Sequence, residues 1–147
     1  MTDDGGYIGV SEGASLIIAQ GATCNFIGSG CFLSGAGTFT VKGTMFMNTP
    51  STLTPAIFYL SDGGRLEMQD GILAAHGFYW FGGTTIVQPV GGTGSIQVNA
   101  GDTMEISGEV NLDKMNIIGA GRLTVNMGAR VIARNGGTVN VGGRVLP

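Results

Sequence analysis

Three observations predict that this chain is an all-β protein, a single parallel β-solenoid of about five coils. Short stretches alternate polar and apolar residues and then stop at glycine, as a strand with one buried face does. The stretch recurs every few tens of residues, which indicates stacked structural repeats. No segment carries the i, i+3, i+4, i+7 apolar stripe of an amphipathic helix. The first apolar residues of the five copies are Leu16, Phe39, Leu66, Ile96 and Leu123, at spacings of 23, 27, 30 and 27 residues.

The segments between these copies supply the other strands of each coil. Further short apolar runs follow each copy, such as residues 45–47 and 57–60. Three short strands in about 27 residues, joined by glycine corners, describe one turn of a parallel solenoid. Equivalent residues then stack at the ~4.8 Å spacing of neighbouring strands, so the five first apolar residues are expected to form one interior column. A β-sandwich or jelly roll is the alternative, which explains short alternating strands but not copies in register.

The chain is expected to form one domain, residues 13–147, preceded by an N-terminal arm at residues 1–12. The arm is acidic and rich in glycine, so it does not read as a signal peptide and becomes ordered only where a neighbour holds it. A length of 147 residues is enough for one continuous core. The two cysteines, Cys24 and Cys31, lie in apolar stretches and are interpreted as reduced core residues.

Composition argues against two classes of partner. The formal charge is −3 and only seven residues are Lys or Arg, so we expect no nucleic-acid binding. No apolar run approaches the ~18–20 residues of a membrane span, so we expect no membrane insertion. The 28 glycines are explained as corners of the repeat, because corners need positive φ or close backbone approach.

The C-terminal third carries a glycine-rich pattern punctuated by asparagine, seen in residues 119–145 and most clearly in Asn-Gly-Gly-Thr-Val-Asn-Val-Gly-Gly at residues 135–143. This pattern resembles right-handed parallel β-helices of bacteriophage tailspikes and decoration proteins, and of autotransporter passenger domains. The resemblance is at the level of the fold and covers most of the chain from Gly13 onward. It implies a short virion accessory protein that is assembled in the host cytoplasm, is located in the virion and forms a homotrimer.

The sequence lacks the residue combinations of common catalytic and metal sites, so we expect that the protein is not an enzyme and holds no cofactor or metal. His76 is the single histidine, so one chain cannot form a Ser-His-Asp triad or a site of several histidines. Cys24 and Cys31 lack the closely spaced partners of a zinc site. Scattered carboxylates, such as Glu67 and Asp70, are interpreted as solubilising surface groups, with a hydrolytic pair among them as the alternative.

The N-terminal half contains strands that are apolar on both faces, whereas the C-terminal half alternates cleanly. A thin solenoid has one interior, so half of these apolar residues are expected to point outward, where exposed apolar surface marks a contact. The expected outward residues are Ile17, Phe32, Phe46 and Phe58. The alternative is that loops such as residues 48–56 fold back over this surface. The residues expected to anchor a subunit or partner interface are Tyr7, Ile17, Phe32, Phe46, Phe58, Tyr79 and Trp80.

These observations favour a non-enzymatic structural protein of a larger assembly, most concretely a phage capsid decoration or tail-associated protein that docks through its apolar N-terminal half. A glycan-binding adhesive module is the alternative, with exposed Tyr79 and Trp80 as a stacking platform and Asp62 or Asp70 as polar partners. A third possibility is a small carbohydrate-cleaving enzyme, which requires two carboxylates in one groove.

Overall fold

The computed structural model describes residues 2–61, 63–88, 91–142 and 145–146. Within these residues the chain forms strands and no helix. No helix long and apolar enough to cross a membrane is therefore present among them. The strands in chain order are β1 Thr2–Asp4, β2 Tyr7–Gly9, β3 Ser15–Ile18, β4 Thr23–Ile27, β5 Phe32–Ser34, β6 Thr38–Val41, β7 Thr44–Leu53, β8 Ile57–Leu60, β9 Arg65–Leu73, β10 Gly77–Trp80, β11 Thr84–Val87, β12 Ser95–Gln97, β13 Thr103–Ile106, β14 Glu109–Asp113, β15 Asn116–Gly119, β16 Arg122–Val125, β17 Arg130–Arg134, β18 Thr138–Val141 and β19 Val145–Leu146.

The strands wind around one interior as a parallel β-solenoid of about six turns, which confirms the predicted fold class and adds one turn to the predicted five. All pairings between described strands are parallel, so the β-sandwich alternative is wrong. Face one is a single sheet of β3, β6, β8, β10, β13, β16 and β19. Face two contains β1, β4, the first parts of β7 and β9, β11, β14 and β17. Face three contains β2, β5, the last parts of β7 and β9, β12, β15 and β18.

The interior is built from columns of apolar residues that the strand register stacks on one another. On face one the centre of the column is aromatic: Phe58 stacks on Phe39 at 5.7 Å between ring centroids and on Phe78 at 4.8 Å. Phe26 of face two lies 6.4 Å from Phe39 and so links two faces through the core. Burying each phenylalanine contributes roughly 1.5–3 kcal/mol. The full face-one column is Leu16, Phe39, Phe58, Phe78, Met104 and Leu123.

The predicted interior column of five repeat copies is wrong in two members. Leu16, Phe39 and Leu123 do lie on face one, but Leu66 lies on face two beside Met45. Ile96 lies on face three, beside residues of β9 and β15. All three faces use the same alternation, so the sequence pattern identifies strands without saying which face they belong to. The true turn is also shorter and variable, with 19 residues from Phe39 to Phe58 and 26 from Phe78 to Met104.

The N-terminal segment is part of the solenoid and not a separate arm. Thr2–Asp4 pairs with residues 25–27, and Tyr7–Gly9 pairs with Phe32–Ser34. The alternative that residues 48–56 fold back over the surface is wrong as well, because Thr44–Leu53 is one strand that continues from face two to face three through a register irregularity. Leu53 at its end is fully buried, so this segment builds the interior instead of covering an outer face.

Two described core positions, Thr49 and Thr85, carry a polar side chain, and the second allows a stability prediction. Thr85 is fully buried on face two, and its hydroxyl has no hydrogen-bond partner among the described residues. A valine has the same shape without the polar group, so Thr85→Val is expected to raise the free energy of unfolding by about 1–2 kcal/mol. Urea denaturation followed by circular dichroism measures this change.

Thr49 provides the matched control, because it is equally buried and its hydroxyl accepts a hydrogen bond from the Ser51 N–H at 3.2 Å. Thr49→Val removes that bond and is expected to lower stability by about 1 kcal/mol. A Thr85→Val variant that is as destabilised as Thr49→Val would show that the Thr85 hydroxyl is satisfied in solution.

Candidate functional site

Two aromatic side chains stand side by side on the outside of face three. Tyr7 is 69% exposed and Phe32 is 54% exposed, and their ring centroids are 6.5 Å apart. The Ser34 hydroxyl donates a hydrogen bond to the Tyr7 hydroxyl oxygen at 2.9 Å, which holds the tyrosine ring along the strand. Gly9 makes room for that ring, since a Cβ there would lie only 2.8 Å from a ring carbon. The expected outward position of Phe32 is therefore confirmed.

Two other predicted interface residues also lie on the outer surface, on different faces. Ile17 is 52% exposed on face one, in the strand that ends that sheet. Phe46 is half-buried on face two, between Asn25 and Glu67 of the neighbouring strands. The outward direction predicted for both is confirmed.

Two predicted interface residues are in the core instead. Phe58 and Trp80 are both fully buried, so the expectation that they contact a partner from the surface is wrong. Phe58 belongs to a strand that is apolar at every position, so the sequence does not show which of its side chains point inward. The inward direction of Phe58 follows from its pairing with the inward Phe39. Trp80 pairs with Leu60 in the same way and packs edge-on against Phe78 at 6.0 Å.

Tyr79, the seventh predicted residue, belongs to a group that the sequence did not identify. It is half-buried on the outside of face one and stacks on Tyr59 at 5.1 Å and 26° between planes. Phe81, which is 43% exposed, stacks on Tyr59 at 5.7 Å and lies 6.4 Å from Tyr79. We call Tyr59, Tyr79 and Phe81 the outer aromatic cluster. Alternation along each strand predicts this cluster once Phe58 and Trp80 are known to point inward, because their neighbours must then point outward.

The next turn of face one places polar side chains directly beside this cluster. Glu105 is the register neighbour of Tyr79. The Asn126 amide donates to the Glu105 carboxylate at 2.8 Å and to the Ser107 hydroxyl at 2.6 Å. We call Glu105, Ser107 and Asn126 the polar step. All three are half-buried and are held by their mutual hydrogen bonds.

The glycan platform predicted from sequence does not form as expected. Trp80 is buried, and Asp62 lies outside the described residues. Asp70 is at a corner between faces two and three, where it accepts hydrogen bonds from the Gly71 N–H at 2.8 Å and the Thr93 hydroxyl at 3.2 Å. Its carboxylate therefore serves the local turn and is not next to Tyr79.

The single histidine and the two cysteines do not form a site within the described part of the chain. His76 lies 2.9 Å from the Asp102 carboxylate, and its side chain is 64% exposed. Cys24 and Cys31 are both buried, and the Cys31 thiol donates to the Ile27 carbonyl at 3.0 Å, in agreement with their predicted place in the core. Among the described residues no three His, Cys, Asp or Glu side chains come together in a group that could hold a metal ion.

A shallow polar depression of about 310 Å³ lies on face two and is lined in part by Arg65, Asn111 and Arg134. Asp113 lines the same depression and accepts a hydrogen bond from Asn135 at 2.7 Å. Arg65 is already paired with the Glu67 carboxylate. Charges of both signs therefore lie next to one another, and the depression has no marked preference for an anion or a cation.

The seven predicted interface residues do not form a single patch, because the exposed ones are spread over three faces. The most exposed, Tyr7, Phe32 and Ile17, are nevertheless all in the first turns of the solenoid. No protein-family model matches this chain, and no match was found among the curated proteins or the solved structures compared with it.

Proposed function

We propose that this chain is a non-enzymatic structural protein that self-associates and docks on a larger assembly through its N-terminal turns. The observation that carries the proposal is the Tyr7–Phe32 pair, two aromatic side chains that are each more than half exposed to solvent and packed side by side. Exposed aromatic residues are typical of the centre of protein–protein interfaces.

The backbone of the same region supports the proposal. Among the described strands, β1 and β3 end their sheets, and β2 pairs only with β5. A strand at the end of a sheet presents N–H and C=O groups that can pair with another chain, and proteins usually cover such edges. Tyr7 lies in β2 and Ile17 lies in β3, so exposed apolar side chains and open backbone edges coincide.

On the outside of face one, the later turns carry a more polar surface than the early turns do. On the outside of face one, Ile17 and Tyr59 of the early turns are followed along the same column by Glu105 and Thr124. A solenoid whose face one is apolar on the outside at one end and polar at the other suits a protein that attaches by one end and projects the other into solvent. The most concrete form of the proposal is a homotrimeric bacteriophage capsid decoration or tail-associated protein, an assignment that rests on the resemblance of its repeats.

The proposal predicts that a charge on the exposed pair abolishes self-association without unfolding the chain. Phe32→Asp places a carboxylate where the proposal puts another subunit, so light scattering is expected to show the mass falling from three chains to one. Circular dichroism is expected to keep its strand signal, because Phe32 points away from the core.

Met127→Asp is the matched control. Met127 is 96% exposed and lies in the C-terminal half, outside the proposed contact. It is expected to leave the mass at three chains. Equal masses for the wild type, Phe32→Asp and Met127→Asp would refute a subunit contact at the Tyr7–Phe32 pair.

A further inference from the structure

The rings of the outer aromatic cluster are stacked along the solenoid axis. Tyr59 and Tyr79 are register neighbours, with ring centroids 5.1 Å apart and planes 26° from parallel. Two coplanar rings cannot come so close, since their edge atoms would overlap, so the pair is offset-stacked and its ring faces point along the axis. Phe81 lies on the same turn as Tyr79, with planes 27° from parallel, so both rings present faces in similar directions.

The aromatic stack ends at Tyr79 and Phe81. The next residue beside Tyr79 is Glu105, and the strand register continues beside Phe81 with Ser107, whose N–H donates to the Trp80 carbonyl at 2.9 Å. Within the described residues no further ring stacks on that side of the cluster. On the outside of face one, the long aromatic side chains of Tyr79 and Phe81 are therefore followed by the shorter side chains of the polar step.

The polar step is already fixed in place and keeps hydrogen-bonding capacity. Asn126 uses its two amide hydrogens on Glu105 and Ser107. The amide oxygen of Asn126 and the second carboxylate oxygen of Glu105 are further acceptors, and the Ser107 hydroxyl is a further donor. Because Asn126 holds both Glu105 and Ser107, a ligand that binds here orders few side chains, which reduces the entropic cost of binding.

A sugar ring has the chemistry that fits such a junction. Its face carries C–H groups that pack against the negative face of an aromatic ring, and its edge carries hydroxyls that donate and accept hydrogen bonds. Tyr79 and Phe81 present two ring faces side by side, with centroids 6.4 Å apart, which suits a ligand with at least two sugar rings. The carboxylate of Glu105 favours hydroxyl donors and repels acidic sugars.

We propose that the junction between the outer aromatic cluster and the polar step is a binding site for neutral oligosaccharides. Sugar rings pack on the exposed parts of the Tyr79 and Phe81 rings, and their hydroxyls bond to Glu105, Ser107 and Asn126. The inference is independent of the assembly role, because the site is on face one and the Tyr7–Phe32 pair is on face three. A glycan-binding surface and a docking end can be present in the same chain.

The test uses the full-length chain and a panel of neutral hexasaccharides of glucose, mannose and N-acetylglucosamine. Saturation-transfer NMR identifies which of them bind, and titration calorimetry gives the Kd. At least one hexasaccharide is expected to bind, with transfer from Tyr and Phe ring protons. Phe81→Ala is expected to weaken that binding at least ten-fold, and Phe81→Tyr is expected to retain it within three-fold.

Two further variants separate the site from the fold and from the docking end. Glu105→Gln keeps the size of the side chain and is expected to weaken binding about three-fold to ten-fold, even if Phe81→Ala proves unstable. Phe32→Ala removes an exposed phenylalanine on face three and is expected to leave the Kd unchanged.

The proposal is overturned if no hexasaccharide of the panel binds, or if Phe81→Ala and Glu105→Gln, both folded by circular dichroism, bind as tightly as the wild type. It is also overturned if Phe81→Ala changes the mass in light scattering while no saccharide binds, because the cluster is then a subunit contact.

Discussion

Replacing Phe58 by alanine is expected to lower the free energy of unfolding by about 3–5 kcal/mol. The side chain is fully buried and stacks on Phe39 and on Phe78, at 5.7 Å and 4.8 Å between centroids. The loss combines the apolar area returned to water, the cavity left behind and two ring–ring contacts. Because the column runs through successive turns, the cavity has rigid neighbours above and below and collapses poorly. Urea denaturation of the wild type and of the Phe58→Ala variant, followed by circular dichroism, measures the difference in the free energy of unfolding.

Phe32→Ala is the control for this prediction, because it is the same substitution on the outside of the same solenoid. Phe32 is 54% exposed, so its removal is expected to change the free energy of unfolding by no more than about 0.5 kcal/mol in the dissociated chain. Similar losses for Phe58→Ala and Phe32→Ala would mean that one of the two side chains points to the opposite side of its strand from the one described above.

Gly83→Ala is expected to be as damaging, by a different mechanism. Gly83 has φ +83°, and a Cβ there would lie 2.3 Å from the Gly64 carbonyl oxygen and 2.9 Å from that of Ser61. Both neighbours are backbone atoms of the adjacent turn, so they can move aside only if two turns separate. Positive φ and overpacking together are expected to cost about 3–5 kcal/mol in urea denaturation.

Gly101→Ala separates the two causes. Gly101 has a nearly identical φ of +88°, but nothing lies within 4 Å of the added Cβ. Only the backbone strain remains, which is expected to cost about 1–2 kcal/mol. If the two alanine variants are equally stable, close approach of the turns contributes nothing, and the glycine corners serve conformation alone.

The sequence was sufficient to predict the fold class, because alternation and glycine corners are local features. Clean alternation in strands such as Ser95–Gln97 and Arg122–Val125 also identified which residues are inward, with Ile96 and Leu123 both buried. The assignment of strands to faces was not predictable in this way. It depends on how many residues each corner uses, and corners of two to seven residues occur between strands whose patterns look alike.

Some residues of the candidate surfaces were predictable from their own strand, and others were not. Ile17 and Phe32 were predicted to point outward and do so, because a neighbour in the same strand is clearly inward. In Ile57–Leu60 every residue is apolar, so the strand alone does not show which side chains point inward, and the outward direction predicted for Phe58 is wrong. The outer aromatic cluster was missed for a related reason, because stacking of Tyr59 on Tyr79 depends on two strands being neighbours in space.

The solution mass of the wild-type chain is the most direct test of the central claim that the N-terminal turns form a contact between subunits. Light scattering across a range of concentrations is expected to give three times the mass of one chain, and the Phe32→Asp variant is expected to give the mass of one. A wild-type chain that remains monomeric at every concentration up to its solubility limit would contradict the claim that the Tyr7–Phe32 pair is covered by another copy.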